Sequence, residues 1–264
     1  MGTVRSKDGT TIAYDTWGVG QPLIIVDGST AYRGTDPTNP EVARLLGDEF
    51  RVYAYDRRGR GESTDTAPYA VEREIEDLEA LVAEAGGEAS VFGMSSGGML
   101  VLDAAQRGVA MAKAVAYEPP LRVSENGPPP IPDYLETLDR RLAGEPGEAL
   151  SYFLGIVGMP DEQLEAFRNS PVWPAFVAVE HTLAYDGRIM DRFSLGRPIP
   201  PGEWNAATQP TLVIAGGESP DWMRESAAAV ADALPSGELR TLPGQTHEYE
   251  PEVLAPVLLE FLGD

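Results

Sequence analysis

Short apolar runs closed by glycine or proline alternate with longer segments of helical spacing along most of the chain, and this alternation restricts the fold more than any other feature. The runs are PLIIVDG (22–28), RVYAYD (51–56), ASVFG (89–93), KAVAY (113–117) and PTLVIAGG (210–217), and ELRTLPG (238–244) continues the alternation near the end. Side chains that are apolar at consecutive positions suit strands covered on both faces. Between them, NPEVARLLGDEF (39–50) has helical spacing, and in 70–85 the residues Val71, Ile75, Leu78, Leu81 and Val82 recur as one helix face, stopped by Gly86 and Gly87. Further helices are predicted over 97–107, 221–234 and 251–262. TTIAYDTW (10–17), after the Asp8-Gly9 turn, reads as a hairpin arm. Strands and helices taking turns predict an α/β class, with parallel strands, crossover helices on both faces and ligands beyond the carboxyl ends of the strands.

Residues 121–207 break the rhythm. They hold NGPPPIPD, GRPIPPGEW and several short helical patterns but no convincing strand, so they read as a helical cap inserted between two core segments, 1–120 and 208–264. Trp173, Phe176, Tyr185 and Trp204 are assigned to the core of that cap. A chain of 264 residues with 42% hydrophobic side chains can bury one large core. A net charge of -22 repels nucleic acid and anionic lipid, and no run approaches the roughly 20 apolar residues of a membrane helix. The expectation is a cytoplasmic protein, monomer or homodimer, whose partner is a small molecule. The absence of Cys removes thiol nucleophiles, disulfides and thiolate metal sites, so any nucleophile is oxygen.

One oxygen stands out. Gly93, Ser95 and Gly97 form G-x-S-x-G between the strand ASVFG and the following helix. A serine held in a sharp strand-to-helix turn crowds the residues two before and two after it, which glycine relieves. A serine hydroxyl needs a base to take its proton. Only two imidazoles exist: His247, in the loop PGQTHEYEP after the last strand, lies at the same sheet edge as Ser95, whereas His181 lies among helical spacing, where packing or substrate contact explains it.

With these residues the chain resembles the α/β-hydrolases that carry a serine nucleophile and a helical cap. The resemblance covers nearly the whole chain and rests on the strand ending at Gly28, the loop YDRRGRGES (55–63), the elbow 93–97 and the late His247. It implies a mostly parallel eight-stranded sheet, no cofactor, and chain order nucleophile, acid, base. It also implies an oxyanion hole built from the backbone N–H groups of Ser96 and Ser29. The arginines of DRRGRGES are read as structural support near the active-site edge rather than as an anion site.

Two departures matter. Relatives usually carry His-Gly where this chain has Asp27-Gly28, which puts a carboxyl beside a site meant to stabilise negative charge unless Asp27 points away and braces the loop. The usual slot for the acid, after TLVIA, holds Ser219. Glu118, at the end of KAVAY and fixed by Pro119-Pro120, is the chosen acid, as in certain haloalkane dehalogenases; a buried carboxylate there needs a partner, and His247 supplies one. Asp221 and Glu218 are the alternatives. The expected activity is hydrolysis of a small, fairly apolar ester, lactone or thioester through an acyl-enzyme. A lyase or cyclising catalyst on the same scaffold, or a non-catalytic small-molecule receptor, is the alternative.

Overall fold

The computed structural model describes residues 1–125, 127–131, 133–191 and 197–263. Parts of NGPPPIPD (Asn126, Pro132) and of GRPIPPGEW (Gly196) lie outside the described residues.

The strands are β1 (Gly2–Arg5), β2 (Thr11–Trp17), β3 (Gln21–Val26), β4 (Phe50–Tyr55), β5 (Ala89–Met94), β6 (Met111–Tyr117), β7 (Thr211–Gly216) and β8 (Gly237–Leu242). They form one eight-stranded sheet in the order β1-β2-β4-β3-β5-β6-β7-β8. β2 pairs antiparallel with β1 and β4, and every later pairing is parallel.

The continuous apolar runs are explained by what covers each face. In β3, Ile24 and Val26 belong to one core cluster and Leu23 and Ile25 to the other; Ala114 and Ala116 against Val115 and Tyr117 repeat this in β6. Successive side chains point to opposite faces, so a strand buried on both must be apolar at every step. On one face lie α2 (Val71–Glu84), α3 (Ser96–Gln106) and α9 (Asp221–Ala233). On the other lie α1 (Thr38–Leu46) and α10 (Pro251–Gly263).

The helix read over 39–50 is shorter than its spacing suggests. It ends at Leu46, because Gly47 passes against Gly18, leaving a Cβ on Gly18 only 2.6 Å from the Gly47 Cα, and Phe50 is already buried as the first residue of β4.

Between β6 and β7 the described residues hold no strand. α4 (Tyr134–Leu142), α5 (Glu148–Ile156), α6 (Asp161–Arg168), α7 (Trp173–Val177), a 3₁₀ turn at Glu180–Thr182 and α8 (Leu183–Met190) form a helical insertion. It has a small apolar cluster of its own, Leu138, Ala149, Leu150 and Leu183, with Trp173 and Phe176 packed on it. Trp204, expected in this cluster, instead packs fully buried in the main core beside α9, and Tyr185 stacks on Tyr69 of the core at 3.8 Å between ring centroids. No helix among the described residues is long and apolar enough to cross a membrane.

Candidate active site

Ser95 sits between β5 and α3 with φ 56° and ψ -124°, a conformation sparsely populated for a residue with a Cβ. The turn is tight on both sides. A Cβ on Gly93 would lie 2.5 Å from the Gly97 carbonyl oxygen, and one on Gly97 would collide with the carbonyl of Val26 and come within 2.6 Å of that of Asp27. Glycine at both positions is therefore a steric requirement. The backbone of Gly28 passes beside the serine, since a Cβ there would stand 3.2 Å from the Ser95 Cβ and 3.8 Å from its Oγ. The loop carrying Ser29 thus borders the hydroxyl, and Ser29, Ser95 and His247 all keep partial exposure.

β5 and β6 run side by side in the register Met94 with Tyr117, and the Ser95 N–H donates to the Tyr117 carbonyl at 2.8 Å. The next residue, Glu118, leaves the strand with φ 43°, and its N–H donates to Ile214 at 2.8 Å. Its side chain is fully buried. Oε1 accepts the Gly216 N–H at 2.7 Å, and Oε2 lies 2.9 Å from His247 Nδ1. Burial works to raise the Glu118 pKa, but hydrogen bonding by His247, the Ser219 hydroxyl and the Gly216 amide outweighs it and holds the carboxyl below its ordinary value. The Ser219 contact falls short of strict hydrogen-bond geometry, so the weight rests on His247 and Gly216.

The loop bearing His247 is pinned at this edge. The Tyr117 hydroxyl donates to the Thr246 carbonyl at 2.6 Å, and the Glu218 N–H donates to Gln245 at 2.9 Å. Gly216 is required here: a Cβ would lie 2.6 Å from the Gln245 carbonyl oxygen and 2.7 Å from that of Thr246.

Of the three carboxylates considered for His247, the structure joins only Glu118 to it. Asp221 opens α9 with its side chain 82% exposed and paired with Arg224, and Glu218 is exposed. The Ser95 hydroxyl makes no hydrogen bond to His247 among the described residues. With Nδ1 committed to Glu118, Nε2 is the ring nitrogen that remains for another partner. His181 is separate from this group: its Nε2 lies 3.9 Å from Asp65 and its ring is edge-on to Tyr185.

Asp27 is tied to α1. Oδ1 accepts the Asn39 amide of α1 at 2.8 Å, and burial, with Asp36 adding to it, pushes the carboxyl up to about 7. The arginines of DRRGRGES are all buried and paired with carboxylates. Arg58 clamps Asp77 through two bonds of 2.8 and 2.7 Å; Arg57 clamps Glu74 and reaches Asp186 at 2.7 Å; Arg60 reaches Asp186 at 2.7 Å. Their guanidiniums are occupied by internal carboxylates. What the sequence reading missed is Asp186 on α8, whose Oδ1 also accepts the Ser96 hydroxyl at 2.7 Å. The only local signal was a carboxylate in a largely apolar helical stretch, LAYDGRIM.

A sequence model of the alpha/beta hydrolase family matches residues 18–257. An alpha/beta hydrolase from Sphaerobacter thermophilus is similar in structure at a TM-score of 0.90, with 44% identity over 99% of this chain and 100% of that one. A hydrolase from Pseudomonas aeruginosa shares the fold at a TM-score of 0.76 and 24% identity, over 100% of this chain and 98% of that one. Among curated relatives, a bifunctional esterase/perhydrolase of Acinetobacter calcoaceticus is 32% identical over 139 residues, which is 50% of each chain. A non-heme chloroperoxidase of Streptomyces lividans is 29% identical over 61% of this chain and 60% of its own, so these matches span only about half to three fifths of either relative. With the match running from the turn before β3 into α10, through the elbow and the His247 loop, the chain belongs to the alpha/beta hydrolase family.

Proposed function

We propose that the protein is a serine hydrolase that cleaves a small, fairly apolar ester, lactone or thioester through an acyl-enzyme, with Ser95 as nucleophile, His247 as base and Glu118 as the acid that orients it. The observation that carries this reading is the Glu118–His247 pair, 2.9 Å apart, anchored on the strand adjacent to the strained Ser95. The carboxylate holds the proton on Nδ1, which leaves Nε2 as an acceptor. Nε2 takes the Ser95 proton as Oγ adds to the carbonyl carbon, and the oxyanion forms against the N–H groups of Ser29 and Ser96. Each such donor contributes about 3 kcal/mol to the transition state. Collapse expels the alcohol or thiol, which receives the proton from His247. Water then adds to the acyl-enzyme by the same sequence and frees the acid.

The Ser95–His247 bond is open in this structure; links of this kind often close only around bound substrate. The helical insertion, which holds an apolar cluster of its own, acts as the cap over the site. The relative named an esterase/perhydrolase supports acyl transfer as the chemistry. The enzyme acts in the cytoplasm, as monomer or homodimer, without a cofactor.

The test is a fluorophosphonate probe with intact-mass detection, alongside turnover of p-nitrophenyl acetate and butyrate. We expect one adduct on Ser95, lost in Ser95→Ala together with turnover. An unlabelled Ser95, or a Ser95→Ala variant that still turns the esters over, would sink the reading and favour lyase, cyclase or receptor roles.

A further inference from the structure

Asp186 comes from α8 of the insertion, yet its carboxylate, 3% exposed, lies under the elbow. Oδ1 accepts from Arg57 Nη1 and from the Ser96 hydroxyl, both at 2.7 Å, and Oδ2 accepts from Arg60 Nη2 at 2.7 Å. The guanidiniums reach further. Arg57 donates to the Asp27 carbonyl at 3.2 Å, and Arg60 Nη1 donates to the carbonyls of Gly28 at 2.5 Å and Ala31 at 3.1 Å. One carboxylate of the insertion is thus tied directly to the residue after Ser95 and, through two arginines, to three carbonyls of the segment that carries Ser29.

The Gly28 carbonyl and the Ser29 N–H belong to the same peptide unit. That unit is planar and trans, so its N–H points opposite to its C=O. Arg60, by fixing the Gly28 carbonyl, fixes the direction in which the Ser29 N–H is aimed. Apolar side chains of equal volume would hold the insertion down at less desolvation cost, but they have no directional bonds with which to aim a peptide. Arg57 and Arg60, paired with Glu74 and Asp186, form a neutral quartet whose orientation is set by bonds at 2.7–2.8 Å.

We propose that Asp186 is a positioning residue for the oxyanion donors: it holds Arg60, which aims the Ser29 N–H, and it holds Ser96 by its hydroxyl, so that seating of the insertion and assembly of the oxyanion hole are one event. This rests on the reading of Ser29 and Ser96 as the donors. It differs from a scaffold role in what it predicts. A scaffold residue changes how much protein is folded, whereas a positioning residue changes the turnover of each folded molecule.

The experiment compares wild type, Asp186→Asn, Arg60→Lys and Ser96→Ala for kcat and KM on a p-nitrophenyl ester and for inhibition by a trifluoromethyl ketone, whose serine adduct carries an oxyanion. All are assayed below their own melting temperatures. Asp186→Asn and Arg60→Lys are expected to lower kcat about 10- to 100-fold with KM nearly unchanged, and to weaken the ketone by the same factor. Ser96→Ala removes the hydroxyl with its 2.7 Å bond to Asp186 and its longer contacts at 3.4 Å to Arg57 and the Ser29 hydroxyl, but leaves both ion pairs, so it still reports if Asp186→Asn does not fold; its expected loss is about 3- to 10-fold. Folded variants that melt lower but keep kcat and ketone affinity overturn the proposal and leave the hydrolase reading intact. A wild type that the ketone does not inhibit overturns both.

Discussion

Replacing Glu118 by Gln separates charge from shape at the buried end of the imidazole. The glutamine oxygen can still accept the Gly216 N–H, which Oε1 now takes at 2.7 Å. The other terminus becomes an NH₂ facing His247 Nδ1, where Oε2 stands at 2.9 Å. A donor there makes Nδ1 an acceptor and moves the ring proton to Nε2, the nitrogen that in the proposed mechanism must be vacant to take the serine proton. The loss expected from such a wrong tautomer is about 10⁴ in kcat, or about 5 kcal/mol of barrier. Stability falls much less, by about 1–3 kcal/mol for one compromised buried bond, or about 2–10 °C in Tm for a chain of this size. That difference depends on pH in a definite sense. The folded carboxyl titrates below its ordinary value of 4.5, so its contribution is present above that pH and is lost as pH falls through the folded value. Steady-state turnover of a p-nitrophenyl ester and thermal melts from pH 3 to 8 read both quantities. Asp221→Asn is the control, with its exposed carboxylate paired to Arg224, and should keep kcat within about two-fold. A Glu118→Gln variant retaining a tenth of the wild-type kcat, or an Asp221→Asn variant that matches its loss, would refute the assignment.

Two further predictions concern the elbow and its neighbour. Gly97→Ala drives a methyl into the Val26 and Asp27 carbonyls and should cost about 3 kcal/mol, read by calorimetry; a melting temperature within a degree of wild type would contradict the packing argument. Asp27, raised to about 7 from 3.8, keeps its proton in the folded state over a range where the unfolded chain has lost it. Its contribution is therefore complete below the unfolded value and fades as pH rises through 7, by up to about 4 kcal/mol. Asp27→Asn keeps the Asn39 bond and abolishes that titration, so its melting temperature should exceed that of wild type at pH 8 and match it near pH 4. A pH-independent difference would show that Asp27 is not the titrating group.

The inner strands β3 to β7 were legible because they are buried on nearly every residue, and consecutive apolar side chains leave few alternatives, whereas the edge strands β1 and β8 are largely exposed. The helices were legible from spacing and their stops from Gly86-Gly87 and similar breaks, with errors where a neighbouring backbone intrudes, as Gly18 does at Gly47. Glu118 could be found because a carboxylate at a buried strand end must be paired, and only His247 was available to pair with it. The Arg57–Arg60–Asp186 cluster could not. Its members come from positions 126 and 129 residues apart, and no local pattern in LAYDGRIM tells which distant cation a carboxylate will meet. Trp204 misled for a similar reason, since its indole belongs by sequence to the insertion and by packing to the main core.

The proposed placement of the acid on β6 also follows from reach. β6 and β7 are adjacent and parallel, with Tyr117 opposite Ile214, so their carboxyl ends emerge side by side beneath the same His247 loop. A carboxylate can meet Nδ1 from either strand. From β6 it must cross toward β7, which calls for the longer side chain of Glu rather than Asp and for the left-handed turn at Glu118 that swings it off the strand axis. It also requires that nothing bulky or negatively charged occupy the usual slot on β7. Ser219 meets both conditions: it is small and buried, whereas a carboxylate there would oppose a second one across the same imidazole. On the proposed assignment, placing Asp at position 219 should restore activity only in a chain that has lost Glu118.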